Sequence, residues 1–202
     1  MANVDGVFGF PIYYSSIDVT DVEYKTLINS DFRDPDEYGF QVTRDNHLLD
    51  GYEELRRRIE EHVKNYVYGV LIFEGVEIYI KTSWATRATK GSLSKRHSHQ
   101  NAIVSGVVHL TTVEEGGELT LFHPFPIALN NNYFDIPIGR QNGFNSLQWV
   151  IPPKKNNLVL FPSQIEHAVE ICTEIAPRYS LAFDVFFRGI LSEGGVCELD
   201  LK

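Results

Sequence analysis

From residue 76 onward the sequence consists of short β-prone runs separated by turn residues, and this pattern restricts the possible folds more than any other feature. Runs rich in Val, Ile, Thr, Tyr and Phe occupy residues 76–83, 102–112, 118–123, 148–151, 158–161 and 179–187. These residue types favour strands, and the Gly, Pro, Asn and Asp between them favour turns. Many short strands at such spacing indicate a sandwich or a jelly roll. We therefore expect a mainly β protein.

A stretch before these runs has the period of a helix instead. Between residues 51 and 70, Leu55, Ile59, Val63 and Val67 recur at helical spacing, and charged residues fill the opposite face. This pattern predicts one long amphipathic helix. A chain of 202 residues is within the size at which one β core forms a single domain. We expect one domain over 1–202, in which the helical residues 1–75 support a β core at 76–190.

Composition argues against two classes of partner. The net charge of -9 disfavours nucleic acid, because nucleic-acid affinity comes largely from Lys and Arg that neutralise phosphates. No apolar run approaches the roughly 20 residues needed to cross a bilayer. Residues 1–10 lack the basic start and apolar stretch of a signal peptide, and the two cysteines are too few for a disulfide framework. We expect no nucleic-acid or membrane partner and a cytoplasmic location.

Two turn-rich segments interrupt the β-prone runs. Gly116 and Gly117 lie between two runs, where glycine can adopt the positive φ of a tight hairpin. Residues 124–143 are rich in Asn, Pro and Gly. A long irregular loop in a compact domain is often an active-site cover. The sequence predicts a hairpin at the glycine pair and a lid over the active site at 124–143.

The densest chemical signal is the pair His97 and His99. Two side chains separated by one residue on a strand point to the same face, so these imidazoles can bind one metal ion. Imidazole suits iron, zinc, copper and nickel alike. His167, at the end of an apolar run, is a candidate third ligand, and His123 is its competitor. Each signal is weak when taken alone.

A buried cation is predicted eleven residues after His167. On a strand, Arg178 and Ser180 share one face. An arginine carried into a β core must find an anion, because an unpaired buried charge is very costly. A dicarboxylate cosubstrate would supply that anion.

The four segments HSHQNAIVSGVVHL, EEGGELTLF, NNLVLFPSQIEHAV and PRYSLAF together resemble the 2-oxoglutarate and Fe(II)-dependent oxygenases, in the same order and over residues 84–187. Within that superfamily the chain is similar to a small branch with an HxH...H...RxS pattern that is common in phages and marine bacteria. The resemblance implies a double-stranded β-helix, the cupin-like jelly roll, with the long helix packed on it. It also implies hydroxylation of a substrate by O2, coupled to decarboxylation of 2-oxoglutarate to succinate and CO2.

Carried over residue by residue, the resemblance implies that His97, His99 and His167 bind Fe(II) and that Arg178 and Ser180 bind the distal carboxylate of 2-oxoglutarate. Most of the superfamily has Asp or Glu at the position of His99, so this chain has three neutral ligands where one is usually negative.

Three further positions receive smaller predictions. His109 stands where related enzymes often have a tyrosine that helps to hold the cosubstrate, although it could equally be a packed strand residue. Trp84 is predicted to begin a strand and to belong to the core. Asn101 either orients a ligand histidine or makes a turn.

Two other functions remain open from the sequence. A zinc hydrolase or hydratase would also use three histidines and an open water position, with His123 in place of His167. A non-catalytic jelly-roll binding or structural module could keep degenerate histidines. The prime substrate is expected to be a protein side chain or a small metabolite.

Overall fold

A computed structural model describes residues 9–124 and 139–201, and the chain is mainly β as predicted. Its α-helices are α1 (Asp21–Ile28) and α2 (Glu53–Lys64). Its strands are β1 (Tyr13–Ser16), β2 (Gln41–Val42), β3 (Glu77–Ala88), β4 (Ser94–His97), β5 (Val104–His109), β6 (Leu119–Phe122), β7 (Gln148–Ile151), β8 (Asn157–Pro162), β9 (His167–Val169), β10 (Arg178–Leu191) and β11 (Leu199–Leu201).

The strands form two antiparallel sheets within the described residues. The large sheet has the order β1-β8-β5-β10-β3-β2, with β11 paired to the end of β10, and the small sheet has the order β4-β9-β6-β7. The long strand β10 lies between β5 and β3, so that Ser180 is flanked by His109 on one side and Thr86 on the other. This register brings polar side chains from three strands to one place on the sheet.

The two faces of the large sheet have different roles. On one face, Leu181 and Phe183 of β10 pack in a core cluster with Leu55 and Ile59 of α2. On the other face, Phe161 packs with residues of the small sheet. Side chains alternate between the faces of a strand, so every second residue of β10 is turned toward the space between the sheets. That space holds the candidate site.

The helix predicted over residues 51–70 is confirmed. It consists of α2 followed directly by a π-helical segment, Asn65–Val70. The buried residues Leu55, Ile59 and Val63 lie on the apolar stripe that the sequence indicated. The shorter helix α1 was not predicted, although Thr20 and Glu23 form a capping box at its start.

The predicted glycine hairpin is wrong. Gly116 and Gly117 do have positive φ angles of 80° and 68°. However, β5 before them belongs to the large sheet and β6 after them to the small sheet. The glycines therefore lie in a connection between sheets, where a Cβ on Gly116 would lie 2.6 Å from the carbonyl oxygen of Ile171. Glycine is required there by crowding as well as by φ.

Three other predictions concern the lid, a membrane-spanning helix and the division of the domain. Residues 125–138, most of the predicted lid, lie outside the described residues. Among the residues that are described, no helix has the length and apolar character to cross a membrane. The division into residues 1–75 and 76–190 of a single domain stays a prediction.

Candidate active site

The structure brings His97, His99 and His167 together. One ring nitrogen of each lies within 4.8 Å of one from the others. His97 ends β4 and His167 begins β9, and the two residues are direct cross-strand partners. His99 lies beyond the end of β4, so the expectation that both residues of the pair lie on a strand is wrong. The irregular segment after β4 brings His99 to the cluster instead, where its main-chain N–H donates to the carbonyl of Ser163 at 3.1 Å.

Each of the three imidazoles has a hydrogen-bonded Nδ1. In His97 this atom lies 2.7 Å from the carbonyl oxygen of Lys95, and in His167 it lies 3.1 Å from that of Ile165. In His99 it lies 2.7 Å from a carboxylate oxygen of Asp184. Such partners fix the ring orientation and the tautomer of a metal-binding histidine. The Nε2 atoms of His97 and His99 are 3.2 Å apart, which leaves these nitrogens facing a common point.

Burial favours the uncharged form of two of the imidazoles, those of His97 and His167. Burial, with a smaller contribution from the neighbouring His97, lowers the pKa of His167 to about 3. The pKa of His97 is also lowered, mainly by the loss of hydration around its ring and partly by His99, although the hydrogen bond to Lys95 opposes this. A metal ligand must be deprotonated, so these shifts favour metal binding near neutral pH.

The other end of the space between the sheets contains Arg178. Its side chain is 2% exposed, and within the described part of the chain it forms no salt bridge. Burial lowers the pKa of Arg178 to about 10, while Cys172 and Glu118 act in the opposite direction. A guanidinium in such a place is expected to meet an anion that the protein itself does not provide.

Several buried polar groups around Arg178 have no hydrogen-bond partner among the described residues. They are the Nε atom of Arg178, the hydroxyls of Ser180 and Thr86, and both ring nitrogens of His109. Buried polar groups are nearly always satisfied in native proteins, so a cluster of unsatisfied ones points to a ligand. Burial, with a smaller contribution from Arg178, lowers the pKa of His109 to about 3. A neutral imidazole can donate one hydrogen bond to a carboxylate.

Gly117 makes room for the arginine. A Cβ at this position would lie 3.0 Å from Cδ of Arg178 and 3.0 Å from Sγ of Cys172. The connection between the sheets thus packs directly against the side chain of Arg178.

One cavity of about 240 Å³ contains both the histidine cluster and the Arg178 end. Phe161 and Trp84 contribute apolar walls to this cavity. Trp84 lies in the middle of β3, and the centre of its ring lies 5.5 Å from the centre of the His99 ring. The predictions that Trp84 begins a strand and belongs to the core are therefore wrong. Asn101 makes an exposed turn with a φ of 55°, as one of its two predicted roles required.

The residues present fit a divalent metal ion and a dicarboxylate. The cluster offers three imidazole nitrogens, which suit Fe, Zn, Cu and Ni. The unsatisfied donors near Arg178 suit a carboxylate. His123, the competing ligand, is not part of the cluster, and its ring instead packs edge-on against Phe10 at 5.9 Å. The assignment of individual ligands stays a prediction.

Sequence reasoning missed three polar residues of the site. Asp184 and Ser105 face the cluster from β10 and β5, and Thr86 faces Ser180 from β3. For Asp184 a signal existed: it has the same parity on its strand as Arg178 and Ser180. A carboxylate in an otherwise apolar run, on the face already assigned to the site, could have been found from that parity.

Comparisons with known proteins identify a family and a fold. A family model described as "Putative 2OG-Fe(II) oxygenase" matches residues 82–184. No curated protein matches the chain significantly. Many solved structures share the fold, and three illustrate the likeness.

HygX from Streptomyces hygroscopicus, with nickel and 2-oxoglutarate bound, is 12% identical with a TM-score of 0.61, over 88% of this chain and 83% of that one. An oxidoreductase of the 2OG-Fe(II) oxygenase family from Burkholderia pseudomallei is 15% identical with a TM-score of 0.59, over 89% and 84%. A Pseudomonas putida prolyl-4-hydroxylase is 16% identical with a TM-score of 0.53, over 88% and 92%. At these identities the likeness shows the double-stranded β-helix fold, which confirms the predicted fold class.

Proposed function

Because this chain belongs to the 2OG-Fe(II) oxygenase family, whose model covers residues 82–184, we propose that it is an Fe(II)- and 2-oxoglutarate-dependent dioxygenase that hydroxylates its substrate. The reaction consumes O2 and 2-oxoglutarate and yields succinate, CO2 and a hydroxylated product. One oxygen atom enters the succinate and the other enters the product. The narrower assignment to a phage or marine branch stays a prediction.

The observation that carries this proposal is the shared cavity. The histidine cluster and the buried Arg178 line the same space of about 240 Å³. A metal site alone is compatible with many reactions, and a buried arginine alone is compatible with many anions. The combination supports a ligand that binds the metal at one end and Arg178 through a carboxylate at the other.

The side chains of the cavity form a metal-binding group and a carboxylate-binding group. His97, His99 and His167 would hold Fe(II) and leave open positions for the cosubstrate and for O2. The bound metal supplies the activation of O2 when 2-oxoglutarate is decarboxylated. Arg178 and Ser180 would bind the distal carboxylate, the guanidinium through two parallel hydrogen bonds. His109 and Thr86 would each add a donor, because their polar atoms have no other partner among the described residues.

The walls of the cavity keep water away from the reacting atoms. Phe161 packs edge-on against His167 at 5.0 Å, and Trp84 covers one side of His99. Apolar walls of this kind protect a reactive centre from side reactions and strengthen the electrostatic contacts inside.

The zinc hydrolase remains the second candidate, because imidazole nitrogens alone do not choose between zinc and iron. A hydrolase gives no reason for Arg178 to lie buried and unpaired in the same cavity. A non-catalytic module would give no reason for either feature. The prime substrate, a protein side chain or a small metabolite, stays a prediction.

A metal and cosubstrate titration tests the proposal. Protein purified without oxygen is loaded with Fe(II), and conversion of 2-oxoglutarate to succinate is followed after O2 is admitted. We expect one bound ion per chain and slow succinate formation even without the prime substrate. His167→Ala should abolish both. His47→Ala, a change of an exposed histidine outside the cavity, should affect neither. Tight zinc binding with no affinity for 2-oxoglutarate would replace the proposal by the hydrolase.

A further inference from the structure

We propose that Asp184 is a positioning residue for His99. Through the imidazole of His99, Asp184 supplies the negative charge that the three neutral ligands lack. The proposal rests on the proposed function only in requiring that the histidine cluster binds a divalent metal. Asp184 itself does not touch the metal position. It acts through the ring of His99.

The contact between the two residues is short and sheltered. Oδ1 of Asp184 lies 2.7 Å from Nδ1 of His99, and Asp184 is 8% exposed. A hydrogen bond between a ring N–H and a carboxylate is charge-assisted and stronger than a neutral one. When the Nδ1–H of His99 donates a hydrogen bond to Asp184, Nε2 is unprotonated and carries the lone pair that a metal needs.

His99 differs from the other two histidines in the charge of its partner. Nδ1 of His97 and Nδ1 of His167 both face main-chain carbonyl oxygens, which are neutral. Backbone carbonyls fix the tautomer but bring no net charge. Among the residues that the structure describes, Asp184 is the acid hydrogen-bonded to a ring of the cluster, so negative charge reaches the metal position through His99.

The hydroxyl of Ser105 binds the carboxylate of Asp184 and is itself hydrogen-bonded to the hydroxyl of Ser163. The Oγ atom of Ser105 lies 2.7 Å from Oδ1 of Asp184 and 3.0 Å from Oγ of Ser163. A hydroxyl has one proton, so when Ser105 donates to Asp184 its lone pairs are left to accept from Ser163. Ser105 and Ser163 are 1% and 0% exposed, which keeps water from competing for the carboxylate.

The position of Asp184 on the sheet also favours this role. It lies on β10, the strand that carries Arg178, and Ser105 is its direct cross-strand neighbour on β5. The acid is thus built into the centre of the large sheet, whereas His99 lies outside the strands. A rigid carboxylate can orient a less constrained imidazole, and outer partners of this kind typically change metal affinity by 10- to 100-fold when they are removed.

The test measures Mn(II) affinity calorimetrically in two backgrounds. In the native background, Asp184→Asn should weaken Mn(II) binding by about 10- to 100-fold, and Ser105→Ala by less. In the His99→Asp background the ligand is itself negative and would be repelled by Asp184, so Asp184→Asn should leave the affinity unchanged or improve it. Asp31→Asn, on an exposed carboxylate paired with Arg44, is the matched control and should have no effect in either background.

A second readout is independent of affinity. In the Zn(II)-loaded protein, which is diamagnetic, the Nδ1 proton of His99 should give a slowly exchanging NMR signal that is lost or strongly shifted in Asp184→Asn. An unchanged Mn(II) affinity in Asp184→Asn would overturn the proposal. An equal loss in both backgrounds would assign Asp184 a purely structural role and would overturn it too.

The outcome also separates this proposal from the proposed function. If the wild-type chain binds Mn(II) but not 2-oxoglutarate, the oxygenase assignment fails while the role of Asp184 is still decided by the two backgrounds. If the wild-type chain binds no divalent metal, both fall. If metal and cosubstrate bind normally and Asp184→Asn has no effect, only the role of Asp184 is lost.

Discussion

Replacing Arg178 by methionine should have opposite effects on folding and on cosubstrate binding. Methionine keeps most of the length of the side chain and removes its charge. In the protein without cosubstrate, Arg178 is 2% exposed and the described residues offer it no salt bridge. Replacing even a buried ion pair by apolar residues is often neutral or stabilising by about 1 to 4 kcal/mol, and a buried charge without a partner is costlier than a paired one. We therefore expect the free energy of unfolding of Arg178→Met to equal or exceed that of the wild type.

Cosubstrate binding should be lost in the same variant. Removing one partner of a desolvated charge pair leaves the other charge unpaired and costs about 3 to 5 kcal/mol. Each 1.4 kcal/mol corresponds to about a factor of ten in affinity, so the Kd of 2-oxoglutarate should rise by at least about a hundredfold. Arg178→Lys should lie in between, because lysine keeps the charge and loses the planar fork. Ser180→Ala should cost about 1 kcal/mol, the usual contribution of one hydrogen bond.

Calorimetric titration of 2-oxoglutarate in the presence of Mn(II), which prevents turnover, measures these effects, and denaturant unfolding measures the stability. Arg188→Met is the matched control. It lies on the same strand outside the cavity, with its guanidinium 4.4 Å from the centre of the Tyr79 ring, and should bind 2-oxoglutarate normally. A wild-type Kd for Arg178→Met would refute both the anchor and the oxygenase assignment.

Three further predictions use other parts of the site. His97→Ala and His167→Ala should each reduce bound iron from one ion per chain to none by metal analysis while the melting temperature is kept, and full iron affinity in both would show that the cluster is not the metal site. The folded chain holds His109 with a pKa of about 3 against 6.5 for an ordinary histidine, so below about pH 6.5 the unfolded state binds a proton that the folded state does not. Stability should fall by about 1.4 kcal/mol per pH unit as the pH drops from about 6.5 toward 3, and denaturant unfolding should show that His109→Gln lacks this part of the slope. Gly117→Ala, with a φ of 68° and a Cβ 3.0 Å from Cδ of Arg178, should lose at least about 1 kcal/mol of stability and bind 2-oxoglutarate more weakly, whereas Gly69→Ala, with open space around it, should do neither.

The elements that the sequence predicted are those whose pattern is local. The helix over 53–70 was visible because Leu55, Ile59 and Val63 recur with one period. The strands β5, β6, β8 and β10 were visible as β-prone runs, and β7 was predicted with its observed bounds. The strands β2 and β9 have two and three residues, which is too short for an alternating pattern to stand out, and β4 has the polar sequence SKRH, which is not a β-prone run.

The wrong predictions share a different cause. The pair Gly116 and Gly117 was interpreted as a hairpin because glycines indicate that the chain turns. They do not indicate which sheet the next strand joins. Trp84 was assigned to the core because a large apolar residue is usually buried for packing. Whether an apolar side chain faces the core or a cavity depends on the opposite sheet, which the local sequence does not encode.

The sequence identified the residues of the candidate site because the resemblance to a known family supplied their roles. Residue chemistry alone left the metal, the third ligand and the anion open. Asp184, Ser105 and Thr86 were missed because each is an ordinary residue on its own strand. Their importance comes from cross-strand register, such as the pairing of Ser180 with Thr86 and His109, and register is a non-local property.

The strand β10 carries Arg178 near one end of the cavity and Asp184 near the other, six residues apart on one face. The length of this part of the strand, roughly 20 Å, therefore sets the separation between the anion-binding end and the metal-binding end of the site. A single inserted or deleted residue between them would reverse the facing of everything on one side of the change. Either Arg178 or Asp184 would then point into the apolar layer beneath α2, and Leu181 or Phe183 would be forced toward the cavity. Insertions and deletions should accordingly be tolerated in the turns that flank β10 and rejected between Arg178 and Asp184, which a scan of one-residue indels along the strand would reveal directly.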